Sequence, residues 1–444
     1  MKTVIILGAG LAGTILANRL SKIYKVYLID IKSKDLSYPD FNKESSNLAA
    51  VPTFSYGLGG TSNLWHNGLI DINPDHVDND EFSKLLKWIN KYEDDAFSIL
   101  TNRTMNLSDL SHLNETMFTN MDRIIYPKTN YAHNLHERVT FIGNVSDIDF
   151  KVENDKVTQI NFLSSEDRIQ LSFDYLVISC GGLNSSQYVD LIRNKQRYGG
   201  GNFNDHPMGF VGKIRVKKQY KDVFNEIAIQ SHEKFEVRRC FVLKDKHNKL
   251  KGAIYLRNAA TKTHSLKVAK HKSKLGSSAG VLSQFKAALN TLTFHPDIIL
   301  EIVKHIFGYS PRTRTFSMMF VGEQKHRPSK ILSQSNNKEG MKLDWVVTEL
   351  ELDSYNEMIS SFLKEYSEYI ESFSFEKITK KDLWSAAHYS GSNSVGEVVD
   401  NRLAIKGFSN VHVCDGSVIS GHSYANTGLV IAKLCCYLTD EVLN

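Results

Sequence analysis

The chain has 444 residues, enough for two or three domains, and its 41% hydrophobic and 23% charged content excludes a disordered or coiled-coil chain. Its 54 basic and 49 acidic side chains leave only +5, with no basic block interleaved with aromatics, so no nucleic-acid partner is expected. Five cysteines without a C-x-x-C pair argue against a disulfide scaffold or zinc ribbon, predict no metal site, and fit a reducing, cytoplasmic compartment.

The first residues, MKTVIILGAGLAGTILA, could pass for a signal peptide. The stronger reading is strand, tight turn and helix. Gly8, Gly10 and Gly13 stand at G-x-G-x-x-G spacing after the β-rich run Thr3 to Leu7 and open a helix to about Ser21. A second run, Lys25 to Asp30, ends in an acid that can accept ribose hydroxyls. Gly8 permits the turn, Gly10 lets backbone approach a pyrophosphate, and Gly13 lets helix and strand pack closely. The helix N-terminus offers free N–H groups to the phosphates. This fingerprint does not separate NAD from FAD. No segment supplies the roughly 20 apolar residues of a membrane-spanning helix.

Residues Ser55 to Leu69, SYGLGGTSNLWHNGL, read as a glycine-rich loop able to approach a ligand closely. Asn79 to Leu100 reads as one helix capped by Asn79 or Asp80. From Val139 to Ser179 the pattern predicts five short strands in a meander, ending at CGGLNSS and a helix from Ser185 to Ile192. Lys213 to Arg257 alternates as strands do. Lys262 to Lys286 is rich in lysine and histidine, and Val281 to Phe307 reads as two amphipathic helices broken at Pro296. The bland reading of 262–307 is a lid. The sharper one is a basic surface resting on anionic lipid through Leu282, Phe285, Leu289 and Leu292, placing the protein peripherally at the inner membrane surface. Strands at Thr315 to Val321 and Met341 to Val347 and a helix from Leu352 to Ser372 follow. The end of the chain holds His388 in a loop, a strand ending at Val413, the turn Asp415-Gly416-Ser417, and a helix from about Thr427 with Asn426 as its N-cap.

Four separated motifs in order carry a resemblance: GAGLAG, GLGGTSNLW, FNDHPMG at Phe203 to Gly209, and a C-terminal H-x-x-G…VVD…VHVCDGSVI…ANT. The sequence resembles the glucose–methanol–choline (GMC) oxidoreductases. Gly322 to Gln334 is similar to the sugar-oxidising members. About Lys213 to Thr315 matches poorly, as a substrate domain would. The usual H-x-x-G-T-x-x-M-G is here His388, Gly391, Ser392, Val395 and Gly396, without the methionine. Asp30 replaces the family's usual glutamate. Leu64 stands where pyranose-oxidase-like members carry a flavin-linking histidine, so a non-covalent FAD is expected.

The resemblance implies an α/β fold: a Rossmann-like FAD-binding domain with a parallel sheet, interleaved with a substrate domain built on an antiparallel sheet. The expected segments are 1–75, 135–212 and 385–444 for FAD, with 76–134 and 213–384 for lid and substrate. It implies oxidation of a sugar, polyol or glycan-like alcohol, with hydride passing to flavin N5 and on to an unnamed electron acceptor. His388 is the implied base, with Asn426 holding the substrate oxygen. His206 reads as a turn residue, while His422 is a reserve base and the role of His66 is open. Asp415 would meet the ribityl–pyrophosphate region, Val145 the adenine, and Gly60, Thr61, Asn63 and Trp65 the flavin. Thr427 would start a helix aimed at the reduced ring's negative charge. A redox-neutral, epimerase-like flavoprotein and a non-catalytic flavin binder are the alternatives.

Overall fold

The computed structural model describes residues 1–31, 40–41, 55–64, 68–103, 116–128, 131–193, 203–247, 249–277, 294–307, 311–325, 330–333 and 341–444. Trp65, His66, Leu282, Phe285, Leu289 and Leu292 lie outside them, as does the first of the two helices expected around Pro296. The second is the helix Pro296–Phe307.

The described residues build two main sheets. The first has seven strands in the order Val411–Val413, Tyr175–Ile178, Thr3–Leu7, Lys25–Ile31, Val139–Glu153, Lys156–Ser164, Asp167–Ser172. The first five run parallel and the last two turn back antiparallel. Val4, Ile5, Ile6 and Leu7 are fully buried, as a central parallel strand covered on both faces requires. The two strands expected at VTFIG and SDIDFKV are one strand, Val139–Glu153. Asn144 and Asp147, at φ 58° and 52°, kink it without ending it, and its register slips nearby.

The second sheet is antiparallel, in the order Gln230–Ser231, Phe235–Lys244, Lys251–Asn258, Thr315–Gly322, Pro207–Val216, Ile370–Phe375. Met121–Pro127 adds to Phe235–Lys244, and Trp384–Ser385 adds to Pro207–Met208. The expected boundary at 212 therefore falls inside a strand that already belongs to this sheet at Pro207. The Asn79 to Leu100 helix is two, Asp80–Ile89 and Glu93–Thr101, with Asn79 Oδ1 capping the first at 2.9 Å from Phe82 N. The helix expected from Leu352 to Ser372 runs Glu349–Glu365. Thr348 and Glu351 form a capping box that starts it early, and the strand Ile370–Phe375 takes its expected end. Among the described residues, no helix is long and apolar enough to cross a membrane.

Candidate active site

A cavity of about 710 Å³ lies between the carboxyl edge of the parallel sheet and one face of the antiparallel sheet. Ligands bind at that edge in open α/β sheets because crossover helices begin there. Three helices begin on this cavity: at Gly10 and Leu11, at Gly181, and at Thr427 and Gly428. Their free N–H groups favour anionic ligand groups.

The fingerprint glycines divide as their spacing predicts. Gly8 holds φ 105° and donates its N–H to Ile29 O at 2.7 Å. A Cβ on Gly13 would stand 1.9 Å from Gly8 O, so this position packs helix on strand. A Cβ on Gly10 would meet no protein atom within 4 Å, because the backbone there faces the cavity. Asp30 lines the same wall. Its carboxylate accepts from Ala9 N and Gly57 N, both at 3.0 Å. Burial pushes its pKa up, while these backbone bonds hold it down.

The glycine-rich loop docks onto the fingerprint turn. Gly59 donates to Ala9 O at 2.8 Å, and a Cβ on Gly60 would stand 3.0 Å from Gly10 Cα. Gly60 and Thr61 line the cavity. Asn63 does not: it is exposed and donates to Leu58 O at 3.0 Å, closing its own turn. Val145 is fully buried and pairs with Ile31, so Ile31 forms the wall where Val145 was expected.

His388 lines the cavity and lies beside two other histidines. Its Nδ1 is 3.0 Å from Nδ1 of His206, and the His206 and His422 ring centroids are 3.8 Å apart. His422 Nε2 bonds the His388 carbonyl at 3.1 Å. Burial lowers the His388 pKa to about 4, so the ring is a neutral base at physiological pH. Nδ1 is engaged, which leaves Nε2 for a ligand. The backbone is held with equal care. Ala387 sits at φ 59°, a strained value for alanine, with its N–H on Ser385 Oγ at 3.0 Å. The fully buried Asp205 carboxylate accepts from His388 N at 2.9 Å, from His206 N at 2.7 Å and from the Ser385 hydroxyl.

Asn426 is not the helix cap. The terminal helix is Gly428–Tyr437 with Thr427 at its N-cap, one residue later than expected. Asn426 Nδ2 instead donates to Gly68 O, and its buried Oδ1 has no hydrogen-bond partner among the described residues. Both Asn426 and Thr427 line the cavity. Asp415 starts a turn by accepting from Ser417 N at 2.8 Å. It also accepts from Gly181 N at 2.8 Å and from the Ser185 hydroxyl, which ties that turn to the start of the helix Gly181–Ile192 at the cavity wall.

The opposite wall follows the period of two in the antiparallel sheet. Met208 and Phe210, Met319 and Val321, Tyr255 and Arg257, Glu236 and Arg238 each contribute alternate residues of one strand to it. Residues 338–434 match the GMC oxidoreductase family model. Over that stretch the chain is similar to the GMC oxidoreductases. That similarity supports an FAD-dependent oxidoreductase acting on CH–OH groups. No curated protein sequence matches the chain. Among solved structures it resembles pyridoxine 4-oxidase from Mesorbium loti, with TM-score 0.56 and 12% identity over 100% of this chain and 99% of that one. At that identity the likeness concerns the fold.

The GMC cofactor fits what is present. The open cradle at Gly10, three helix starts and the unpartnered Asn426 Oδ1 lie on one cavity of ligand-binding size. Asp205 was missed by sequence reasoning because its partners lie some 180 positions away. The FNDHPMG motif was a signal, but of family and not of role.

Proposed function

We propose that this protein oxidises an alcohol carbon to a carbonyl, with His388 taking the hydroxyl proton at Nε2 and Asn426 holding the substrate oxygen. Bound FAD would accept the hydride. The observation that carries the reading is the position of His388: neutral, half-buried, held by its backbone and side chain alike, and facing the cavity on which all three helices begin.

The other residues act by placement. Gly8, Gly10 and Gly13, with the start of the first helix, would cradle the pyrophosphate. Asp30 retains lone pairs for ribose hydroxyls. Thr427 and Gly428 would place a helix N-terminus against negative charge, which favours the reduced state. Met208, Phe210, Met319 and Trp384 line the cavity and exclude water from the reacting carbon. Leu64, the last residue of the Gly60–Leu64 turn, stands where a flavin-linking histidine would be needed, so FAD would be held without a covalent bond there.

For the substrate we propose a sugar, polyol or glycan-like alcohol. The GLGGTSNLW loop supports it, as do Tyr126, Tyr255 and Tyr424, which bring phenol groups to the cavity wall. The test is anaerobic mixing of the FAD-loaded protein with a panel of sugars, polyols, lipid-linked glycans and pyridoxine. Bleaching of the flavin band by one class identifies the donor. A yellow protein that no alcohol bleaches overturns the reading.

A further inference from the structure

Besides Lys128, three basic side chains stand on the cavity wall away from His388. Arg238 and Arg257 project from adjacent antiparallel strands, and Lys304 comes down from the helix Pro296–Phe307. The histidine chemistry does not use them. Two carboxylates, Glu236 and Glu301, lie among them. Arg238 Nη2 pairs with Glu236 Oε2 at 3.2 Å. Arg257 and Lys304 form no ion pair among the described residues, and the buried Nε atoms of Arg238 and Arg257 have no hydrogen-bond partner. Tyr126 holds the Arg238 guanidinium 4.5 Å from its ring centroid, which orients the plane.

Half-buried cations without ion-pair partners among the described residues cost stability unless something else neutralises them. Here the cost is visible. Burial, with Arg238 and Arg257 nearby, lowers the Lys304 pKa to about 6 despite Glu301 and Glu236, so near neutral pH this amine carries its proton only when an anion lies beside it. Two guanidiniums side by side present planar forks of N–H donors, the geometry that matches an oxyanion in two-point contact. Among the described residues lining the cavity, Lys128 is the only other cation, so positive charge is concentrated at this corner.

Resting on the reading of this cavity as an alcohol-oxidising site, we infer that Arg238, Arg257 and Lys304 form a subsite for an oxyanionic group of the substrate, a phosphate or a carboxylate. Arg257 stands two strands from Pro207–Val216, on the order of 10 Å across the sheet. The anionic group is thus well removed from the carbon beside His388. The favoured substrate is an acidic or phosphorylated sugar or longer molecule, not a two- or three-carbon neutral alcohol.

The test uses FAD-loaded protein titrated calorimetrically with inorganic phosphate and, separately, with acetate. The expected result is saturable binding of one of them, weakened on the order of tenfold in both Arg257→Gln and Lys304→Gln. Whichever anion binds more tightly identifies phosphate or carboxylate as the recognised group. Absence of saturable binding by either anion, or equal affinity in wild type and both variants, overturns the subsite. Lys304 is only half-buried on its helix, so its variant remains informative if Arg257→Gln misfolds. The flavin reading is judged separately by the yellow colour of the same sample. In a colourless protein, phosphate binding lost in Lys304→Gln would keep the subsite while the flavin reading fell.

Discussion

Nδ1 of His206 and Nδ1 of His388 lie 3.0 Å apart with their rings nearly perpendicular, so one nitrogen donates and the other accepts. For Nε2 of His388 to take a proton, its Nδ1 must carry the hydrogen and donate to His206. His206 then keeps its own hydrogen on the buried Nε2. Burial, His422 and His388 all lower the His206 pKa, so it stays neutral and serves as an acceptor. His206 is a positioning residue that selects the tautomer of the base. His388→Ala is expected to retain FAD absorbance and lower the rate of anaerobic flavin reduction by about 10²- to 10⁴-fold. His206→Asn is expected to lower that rate by a smaller factor without loss of bound FAD. A reduction rate unchanged in His388→Ala removes this histidine from the chemistry.

The pH profile follows from the lowered His388 value. A base must be unprotonated to act, and this one is unprotonated above about pH 4. The limiting rate of flavin reduction should therefore show no loss attributable to His388 between pH 5.5 and 8, and an acid limb near pH 4. A limb near the ordinary imidazole value of about 6.5 would show that the ring is solvated in the working enzyme.

Asp205 carries the opposite sign. Burial raises its pKa to about 7, against bonds from Ser385, His206 and His388 that lower it. The folded protein holds this proton where the unfolded chain, near 3.9, has released it. Stability from this group is thus full below about pH 4 and lost as pH rises through 7, by on the order of 4 kcal/mol. Asp205→Asn keeps an acceptor for His388 N and removes the titration. The difference in melting temperature between variant and wild type should move in the variant's favour from pH 5 to pH 8. A constant difference across that range would place the carboxyl pKa outside it.

Much of this site was legible where the chemistry is local in sequence. The fingerprint Gly8 to Gly13 is six residues of backbone geometry, so its glycines announce their roles. His388 was legible through a motif, although its base form depends on His206, 182 positions away. The wall of Arg238 and Arg257 was not legible. Alternation shows that residues share a face, but not which strands lie beside one another. The Asn426 expectation failed by a single residue because asparagine satisfies a cap as readily as it satisfies Gly68 O. The long strand Val139–Glu153 was read as two because asparagine and aspartate at positive φ look like turn residues.

Two glycines three residues apart should fail in different ways. Gly13→Ala forces a Cβ against Gly8 O and Ser179 Oγ, and overpacking of this kind costs about 1–3 kcal/mol. Its apo-protein should melt earlier. Gly10 has an ordinary φ of −71° and open space at its Cβ, so Gly10→Ala should leave apo-protein melting unchanged. A bound pyrophosphate would occupy that space. FAD affinity in a fluorescence titration should fall about tenfold or more. Equal FAD affinity in Gly10→Ala and wild type would move the phosphates off this turn.

The buried pair Lys213–Asp297 anchors the helix that carries Lys304. Lys213 Nζ lies 2.5 Å from Asp297 Oδ2, and both side chains are at least nine-tenths buried. Asp297 also accepts from Ala260 N, Thr261 N and the Thr261 hydroxyl. Those bonds and Lys213 outweigh burial and hold its carboxyl at about 2, so its contribution is full above about pH 4 and is lost as pH falls through 2. Asp297→Ala leaves a buried ammonium without its counterion and should cost about 3–5 kcal/mol in denaturant unfolding. Lys213→Met with Asp297→Leu removes both charges, although the backbone donors at Ala260 and Thr261 lose their acceptor. The double variant should therefore be less destabilised than the sum of the singles. Additive losses would show that the attraction between the two charges contributes nothing, and that the Asp297 carboxylate holds the helix through its backbone bonds alone.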